Sequence, residues 1–355
     1  MIAVPVVWSE ECLLHEPGGE VWLGVWEEGT EVPERASVLL AALTSAGCVR
    51  VPAERHPDEA LLTVHDAALI EHLSTIWRRW EAGGYVTSFG RHRVVPYVFP
   101  SAGLLGSLPA RQPAAVHAET GLFCYDTMTL IGPGSWEAIR AAADAALTAA
   151  DLVATGQVRL VYALCRPPGH HAGAASYGGS CYLNNAALAA EALRRGGADR
   201  VAVIDIDAHH GNGTQAIFYE RDDVRYGSVH VDPGAGWFPH YVGFGSERGS
   251  GVGLGANLNV PLAPGTGDEG WLAGVDALCQ DIRSRGADAV VVSLGVDAAD
   301  ADQESPLRVT ADGYRRGGSL IAGLGLPVVA VQEGGYDLGS LGDLVVAALS
   351  GMLGA

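Results

Sequence analysis

From residue 158 onward, five apolar, β-branched runs recur at intervals: Val158–Leu164, Arg200–Asp207, Val224–Val231, Ala289–Val296 and Pro327–Gln332. Ala-rich stretches of helical character lie between or beside them, notably Ser135–Val153, Asn184–Arg195 and Gly270–Arg285. Continuous apolar runs of strand length, alternating with helices, predict a mostly parallel sheet covered on both faces. Arg195-Gly196-Gly197 supplies a helix stop. Each predicted strand runs directly into polar residues: Arg166–Ala172, Asp205–His210, Ser228–Asp232, Asp297 and Glu333–Tyr336. In open α/β sheets ligands bind beyond the carboxyl ends of the strands. Five such ends rich in His, Asp, Gly and Tyr therefore predict one shared site.

Asp205-Ile206-Asp207-Ala208-His209-His210 carries the most chemistry. If the strand continues through it, Asp207 and His209 are two apart on extended backbone and share a face. With Asp297 they supply one nitrogen and two oxygen donors, a divalent-metal set that leaves positions for water and a carbonyl. Arg166-Pro167-Pro168-Gly169-His170-His171-Ala172 places adjacent histidines on a rigid turn. One histidine could take a proton from water while the other stabilises charge. Asp205 and Asn212 are natural partners to orient that pair. Gly334-Gly335 would let Tyr336 approach the metal and donate to an oxyanion. Together these residues point to a metal-dependent amide hydrolase.

At 355 residues with no repeat or dividing linker, the chain reads as one domain, 1–355. The 22 Lys and Arg residues against 41 Asp and Glu give a net charge of −19, which argues against nucleic acid or an anionic membrane as partner. That balance suits a cationic substrate. No stretch nears the roughly 20 apolar residues of a membrane span, and Met1–Glu11 lacks signal-peptide character. Six scattered Cys residues read as reduced, which makes the cytoplasm the expected compartment. Glu81 to Glu119, with four prolines and no clear period, reads as a functional loop or interface inserted in the domain.

Taken in order, RPPGHHA (166–172), GGSCYLNN (178–185), DIDAHHGNGTQ (205–215), SVH (228–230), SLGVD (293–297) and EGGY (333–336) resemble the deacetylase branch of the arginase/deacetylase superfamily. VPERASVLLAAL (32–43) fits that family's N-terminal helix. The resemblance is strongest to bacterial acetylpolyamine amidohydrolases. It implies a single-domain α/β fold of about eight mostly parallel strands. It also implies one zinc ion per chain on Asp207, His209 and Asp297, with ferrous iron as the alternative. His171 would be general base and later acid, with His170 its electrostatic partner. Asp205 would hold His170, Asn212 would hold His171, and Tyr336 would polarise the scissile carbonyl. Arg35 would line an acetate channel. A structural K+ would sit near the carbonyls of Asp205, Asp207, His209 and Ser228. The 81–119 insertion would mediate a homodimer and narrow the mouth. The two-metal arginase pattern does not fit, because Gly211 and Ala299 stand where second carboxylates would be needed.

Substrate choice is read from Gly179, Ser180, Phe238, Glu304 and Glu119. An acidic Glu304 in Asp302-Gln303-Glu304-Ser305 resembles the gatekeeper of polyamine-selective relatives, and Glu119 is a second candidate. Ser180 replaces the aromatic wall common in the family, leaving room for a bulkier acylated metabolite. The expected activity is acetate release from acetylpolyamines or similar small cationic amides. A protein acetyl-lysine deacetylase and a non-catalytic module on the same fold are the alternatives.

Overall fold

The computed structural model describes residues 2–354. In chain order its strands are β1 (Pro5–Trp8), β2 (Glu20–Trp22), β3 (Val25–Glu27), β4 (Val49–Pro52), β5 (Leu160–Ala163), β6 (Val201–Asp205), β7 (Val224–Val231), β8 (Asn257–Leu262), β9 (Ala289–Leu294) and β10 (Val328–Gln332). Eight of them form one sheet in the order β4-β1-β5-β10-β9-β6-β7-β8. Every described pairing within it is parallel. Strands β5, β6, β9 and β10 are buried at every position, which explains their unbroken apolar runs. The edge strand β4 is largely exposed. β2 and β3 form a separate antiparallel hairpin.

Helices flank the sheet in two groups. Ser135–Ala154 and Asn185–Arg195 pack on each other and on the central strands. Asp268–Arg285, Ala311–Ala322, Leu341–Met352 and Glu34–Ala46 pack in succession. Ala carries the Ser135–Ala154 helix because its interior face lies directly on the sheet. Fifteen of its residues are buried, too many for large side chains at so close an approach.

Two local expectations change. β6 ends at Asp205, so Asp207 and His209 lie in a bend rather than on extended backbone. The bend is held by side-chain capping: Asp205 Oδ1 accepts the Asp207 N–H at 3.2 Å and Asp207 Oδ1 accepts the His209 N–H at 2.9 Å. A carboxylate two residues before an N–H competes well with sheet pairing. Within 81–119, short helices form at Tyr85–Phe89 and Ala102–Leu105, where the sequence shows no periodicity. The segment is anchored by Tyr85 stacked on Trp80 at 4.2 Å, by Val94 paired with Ile131, and by Arg93 donating to the Glu16 and Pro17 carbonyls.

Candidate active site

The carboxyl ends of β5, β6, β9 and β10, adjacent in the sheet, bring the sequence-predicted residues together. One donor atom each from Asp207, His209 and Asp297 lies within 4.8 Å of the others. His209 Nδ1 is 2.9 Å from Asp297 Oδ2 and 3.4 Å from Asp207 Oδ1. Backbone donors aim the carboxylates: Ala208 N–H to Asp297 Oδ1 at 2.8 Å and Gly334 N–H to Asp207 Oδ2 at 2.8 Å. A side chain at Gly334 would meet Asp297 Oδ2 at 2.5 Å and Asp207 Oδ2 at 2.6 Å, so only glycine lets the β10 loop close over the carboxylates.

The electrostatics of this group call for a cation. Burial, together with the neighbouring Asp207 charge, pushes the Asp297 carboxyl up to about 7. Burial lowers the His209 pKa, but Asp207 and Asp297 outweigh it and hold the ring well above its ordinary value. Two fully buried carboxylates sharing one imidazole, in a N/O/O donor set, fit a divalent ion.

The histidine pair sits beside them with rings 4.0 Å apart. Asp205 Oδ2 accepts from His170 Nδ1 at 3.0 Å and from the Tyr226 hydroxyl at 3.0 Å. Burial disfavours charge on His170, yet Asp207, Asp205 and Glu333 raise it to about 10, so it is an imidazolium. His171 differs. Burial and the positive His170 and His209 drive it well below the ordinary value, leaving it neutral. Asn212 Oδ1 accepts from His171 Nδ1 at 2.7 Å, so Nε2 keeps its lone pair. Two adjacent histidines thus hold opposite protonation states, the arrangement an acid–base pair needs.

Tyr336 follows the left-handed Gly335 (φ 124°) and is half-buried. Burial raises its phenol well above the ordinary value, which keeps it a donor. Its N–H donates to Asp302 Oδ2 at 2.6 Å. Arg35 is buried, with Nε donating to the Gly335 carbonyl, Nη2 to the Glu333 carbonyl, both at 2.6 Å, and Nη1 to Glu31 at 2.9 Å.

At the rim, Phe238 packs edge-on against His171 with ring centroids 4.8 Å apart. Gly179 passes so close to His171 that a Cβ would meet its ring at 2.5 Å. Ser180 is left-handed (φ 60°) and held by the Thr129 hydroxyl at 2.9 Å. Glu304 accepts from the Thr30 hydroxyl at 3.0 Å, and its N–H donates to Asp302, the same carboxylate that fixes Tyr336.

Glu119 does not join them. It is 1% exposed, accepts from Arg79 at 2.7 and 2.5 Å, and pairs with His72 at 3.0 Å. The helix Val116–Phe123 packs on Ala67–Ala82 and turns this carboxylate into their seam, away from the rim. The expected substrate contact is therefore corrected to an internal ion pair.

Four residues escaped the sequence reading. Glu333 Oε2 accepts the Gly169 and His170 N–H groups at 2.7 and 3.1 Å and shapes the histidine turn. Glu31 binds both Arg35 and Arg166 in the interior. The Tyr125 hydroxyl donates to the His171 carbonyl at 3.0 Å. Glu20, on the β2–β3 hairpin, has its carboxyl pushed up to about 7 by burial and by Glu304, Asp126 and Glu27. Only Glu333 had a signal, as the first residue of EGGY.

Known proteins are similar to this chain in sequence and fold. The histone deacetylase domain matches residues 29–352. The chain is 42% identical over 350 residues to acetylpolyamine amidohydrolase 1 of Pseudomonas aeruginosa, covering 98% of this chain and 99% of that protein. It is 40% identical over 355 residues to the acetylpolyamine amidohydrolase of Mycoplana ramosa, with coverage of 98% and 99%. The crystal structure of acetylpolyamine aminohydrolase from Burkholderia pseudomallei superimposes with a TM-score of 0.91 at 38% identity, covering 98% of each chain. By fold and sequence, the chain belongs to the histone deacetylase family and is an amide-hydrolysing enzyme.

Proposed function

We propose that the chain hydrolyses N-acetyl amides of small cationic molecules, acetylpolyamines foremost, with one zinc ion held by Asp207, His209 and Asp297. Bound there, the ion would supply Lewis-acid polarisation of the amide carbonyl and of the attacking water. Ferrous iron would suit the same donors. The protein's residues do the rest. His171 Nε2 takes the proton of the water that attacks the carbonyl carbon, and the Tyr336 hydroxyl donates to the oxygen that gains charge. His170 stabilises that charge as an imidazolium. The proton on His171 then passes to the leaving nitrogen as the C–N bond breaks, giving acetate and a free amine.

The observation that carries the substrate class is the acidic rim. Burial, and then the charges of Glu304, Asp126 and Glu27, push the Glu20 carboxyl up to about 7, so Glu20 and Glu304 share a strongly acidic neighbourhood. A distal ammonium would relieve that repulsion. The names of the relatives support the same class. A homodimer through 81–119 is supported by the exposed Phe89, Tyr97, Leu104 and Leu108 on that segment. We further propose a structural K+ on the carbonyls of Asp205, Asp207, His209 and Ser228. We assign the chain to the cytoplasm, with no nucleic-acid or membrane partner. The six free cysteines support the compartment, and the −19 charge supports the absence of a polyanionic partner.

Ser180 favours a second reading, a deacylase of a bulkier metabolite, because its small side chain leaves the wall beside His171 open. Acetate release from acetylputrescine, acetylcadaverine, N8-acetylspermidine and an acetyl-lysine peptide separates the readings. Preference for the polyamines is expected; preference for the peptide would make this a protein deacetylase, and four inert substrates beside a hydrolysed activated acyl amide would favour the bulkier metabolite.

A further inference from the structure

Among the described residues, two groups of three side chains bring metal-binding donor atoms within 4.8 Å of one another. One is Asp207, His209 and Asp297. The other is His170, Cys181 and Glu333; the hydrolysis proposed above uses His170 singly and does not use the three together as a metal-binding group. All three of its members are buried, at 2%, 0% and 0% exposure.

The donors are oriented for this. His170 turns Nδ1 to Asp205 at 3.0 Å, which leaves Nε2, 3.8 Å from Asp207 Oδ1, as the nitrogen outside hydrogen-bond distance of a partner. Glu333 commits Oε2 to the Gly169 and His170 N–H groups. Its Oε1 accepts only the Ser293 hydroxyl, at 3.2 Å, and keeps a lone pair. Cys181 follows Ser180 directly and its thiol is fully buried. From Zn–S and Zn–N bond lengths, donors around a tetrahedral ion stand roughly 3.5 Å apart, so a contraction of about 1 Å would close the group on an ion. Charge balances too. A thiolate, a carboxylate and a neutral imidazole sum to −2 against a divalent cation, which a site without water requires.

We propose that His170, Cys181 and Glu333 form a second, inhibitory site for a thiophilic divalent ion, such as Zn2+, Cd2+ or Co2+ in excess of the catalytic equivalent. The sulfur distinguishes it: the catalytic group offers only oxygen and nitrogen, whereas this one adds a soft donor. Coordination forms metal–sulfur, metal–nitrogen and metal–oxygen bonds to Cys181, His170 and Glu333 and releases the thiol proton and the His170 Nε2 proton to solvent. His170 Nε2, which faces Asp207 Oδ1 at 3.8 Å, is then taken up as a metal ligand and can no longer serve the reacting groups, and turnover stops. The inhibitory consequence rests on the role proposed for His170; the binding does not.

Titration of the metal-free full-length protein with Co2+ tests both parts, because a sulfur-to-cobalt charge-transfer band reports only a thiolate ligand. Wild type should bind two equivalents, one with the band, and lose activity by about 10²-fold in excess Zn2+, the scale of acid–base catalysis. Cys181→Ser and Cys181→Ala should each bind one equivalent without the band and stay active in that excess. The absence of a band in wild type, or its persistence in both variants, would overturn the site. A band with undiminished activity would overturn the inhibition. If no acetyl amide is hydrolysed under any condition, the functional reading fails while the band still reports the second ion.

Discussion

Arg35 lies against the ring of Tyr336, its guanidinium carbon 4.6 Å from the ring centroid. The same guanidinium ties down the Glu333 carbonyl, just before the glycine pair, and the Gly335 carbonyl at its end. A loop containing two glycines is intrinsically loose, so the arginine supplies the rigidity that the phenol needs. Arg35 is thus a positioning residue.

Replacing it should therefore act through geometry. Arg35→Ala is expected to lower kcat by about 10²-fold, the cost of a misplacement near 1 Å. KM and metal content should change little. A fall in bound metal equal to the fall in kcat would show that the arginine supports the whole site instead.

Tyr336→Phe keeps the ring on Arg35 and removes only the hydroxyl. Turnover should drop by about 10²-fold or more, as loss of an oxyanion donor does. Metal analysis of the same sample should give the wild-type content. Unchanged turnover would take Tyr336 out of the mechanism.

Glu119 gives a stability prediction. Burial alone would raise its carboxyl, but Arg79 and His72 hold it down to about 2 from 4.5. Its stabilising contribution is accordingly complete above about pH 4.5 and lost as the pH falls towards 2. Arg79→Ala should cost about 2 kcal/mol, discounted for the partial exposure of Arg79, and move the acid-unfolding midpoint upward. Thermal melts and acid titrations would show it. Glu119→Gln should leave KM for a cationic substrate unaltered, whereas a substrate contact would raise it.

The rim should respond to charge removal and to salt. Glu304→Leu or Glu20→Gln is expected to raise KM for acetylputrescine severalfold, equivalent to about 1 kcal/mol. The effect should shrink as salt is added. Equal KM values at low and high salt would remove the acidic gate.

Chelation should abolish activity without unfolding the chain, since the metal donors hang from loops at the ends of an already buried sheet. Zn2+ at one equivalent should restore it, and Fe2+ is the informative comparison. Retained activity in a sample shown to be metal-free would sink the metal assignment.

The sequence by itself determined the sheet, its strand-end residues and the family. Those are written in local terms: unbroken apolar runs mark strands buried on both sides, and catalytic residues cluster within short motifs next to them. It could not show that Asp207 and His209 sit in a bend, because the capping carboxylates compete with a strand pattern that continues past them. Nor could it place Glu119, Glu31 or Glu20. A carboxylate in a sequence has no direction. Only the packing of helix Val116–Phe123 sends Glu119 inward, only the meeting of Arg35 with Arg166 makes a buried Glu31 tolerable, and only the hairpin of β2 and β3 brings Glu20 to Glu304. Charge interactions decay over distances set by the fold rather than by separation along the chain, so the tertiary structure decides them.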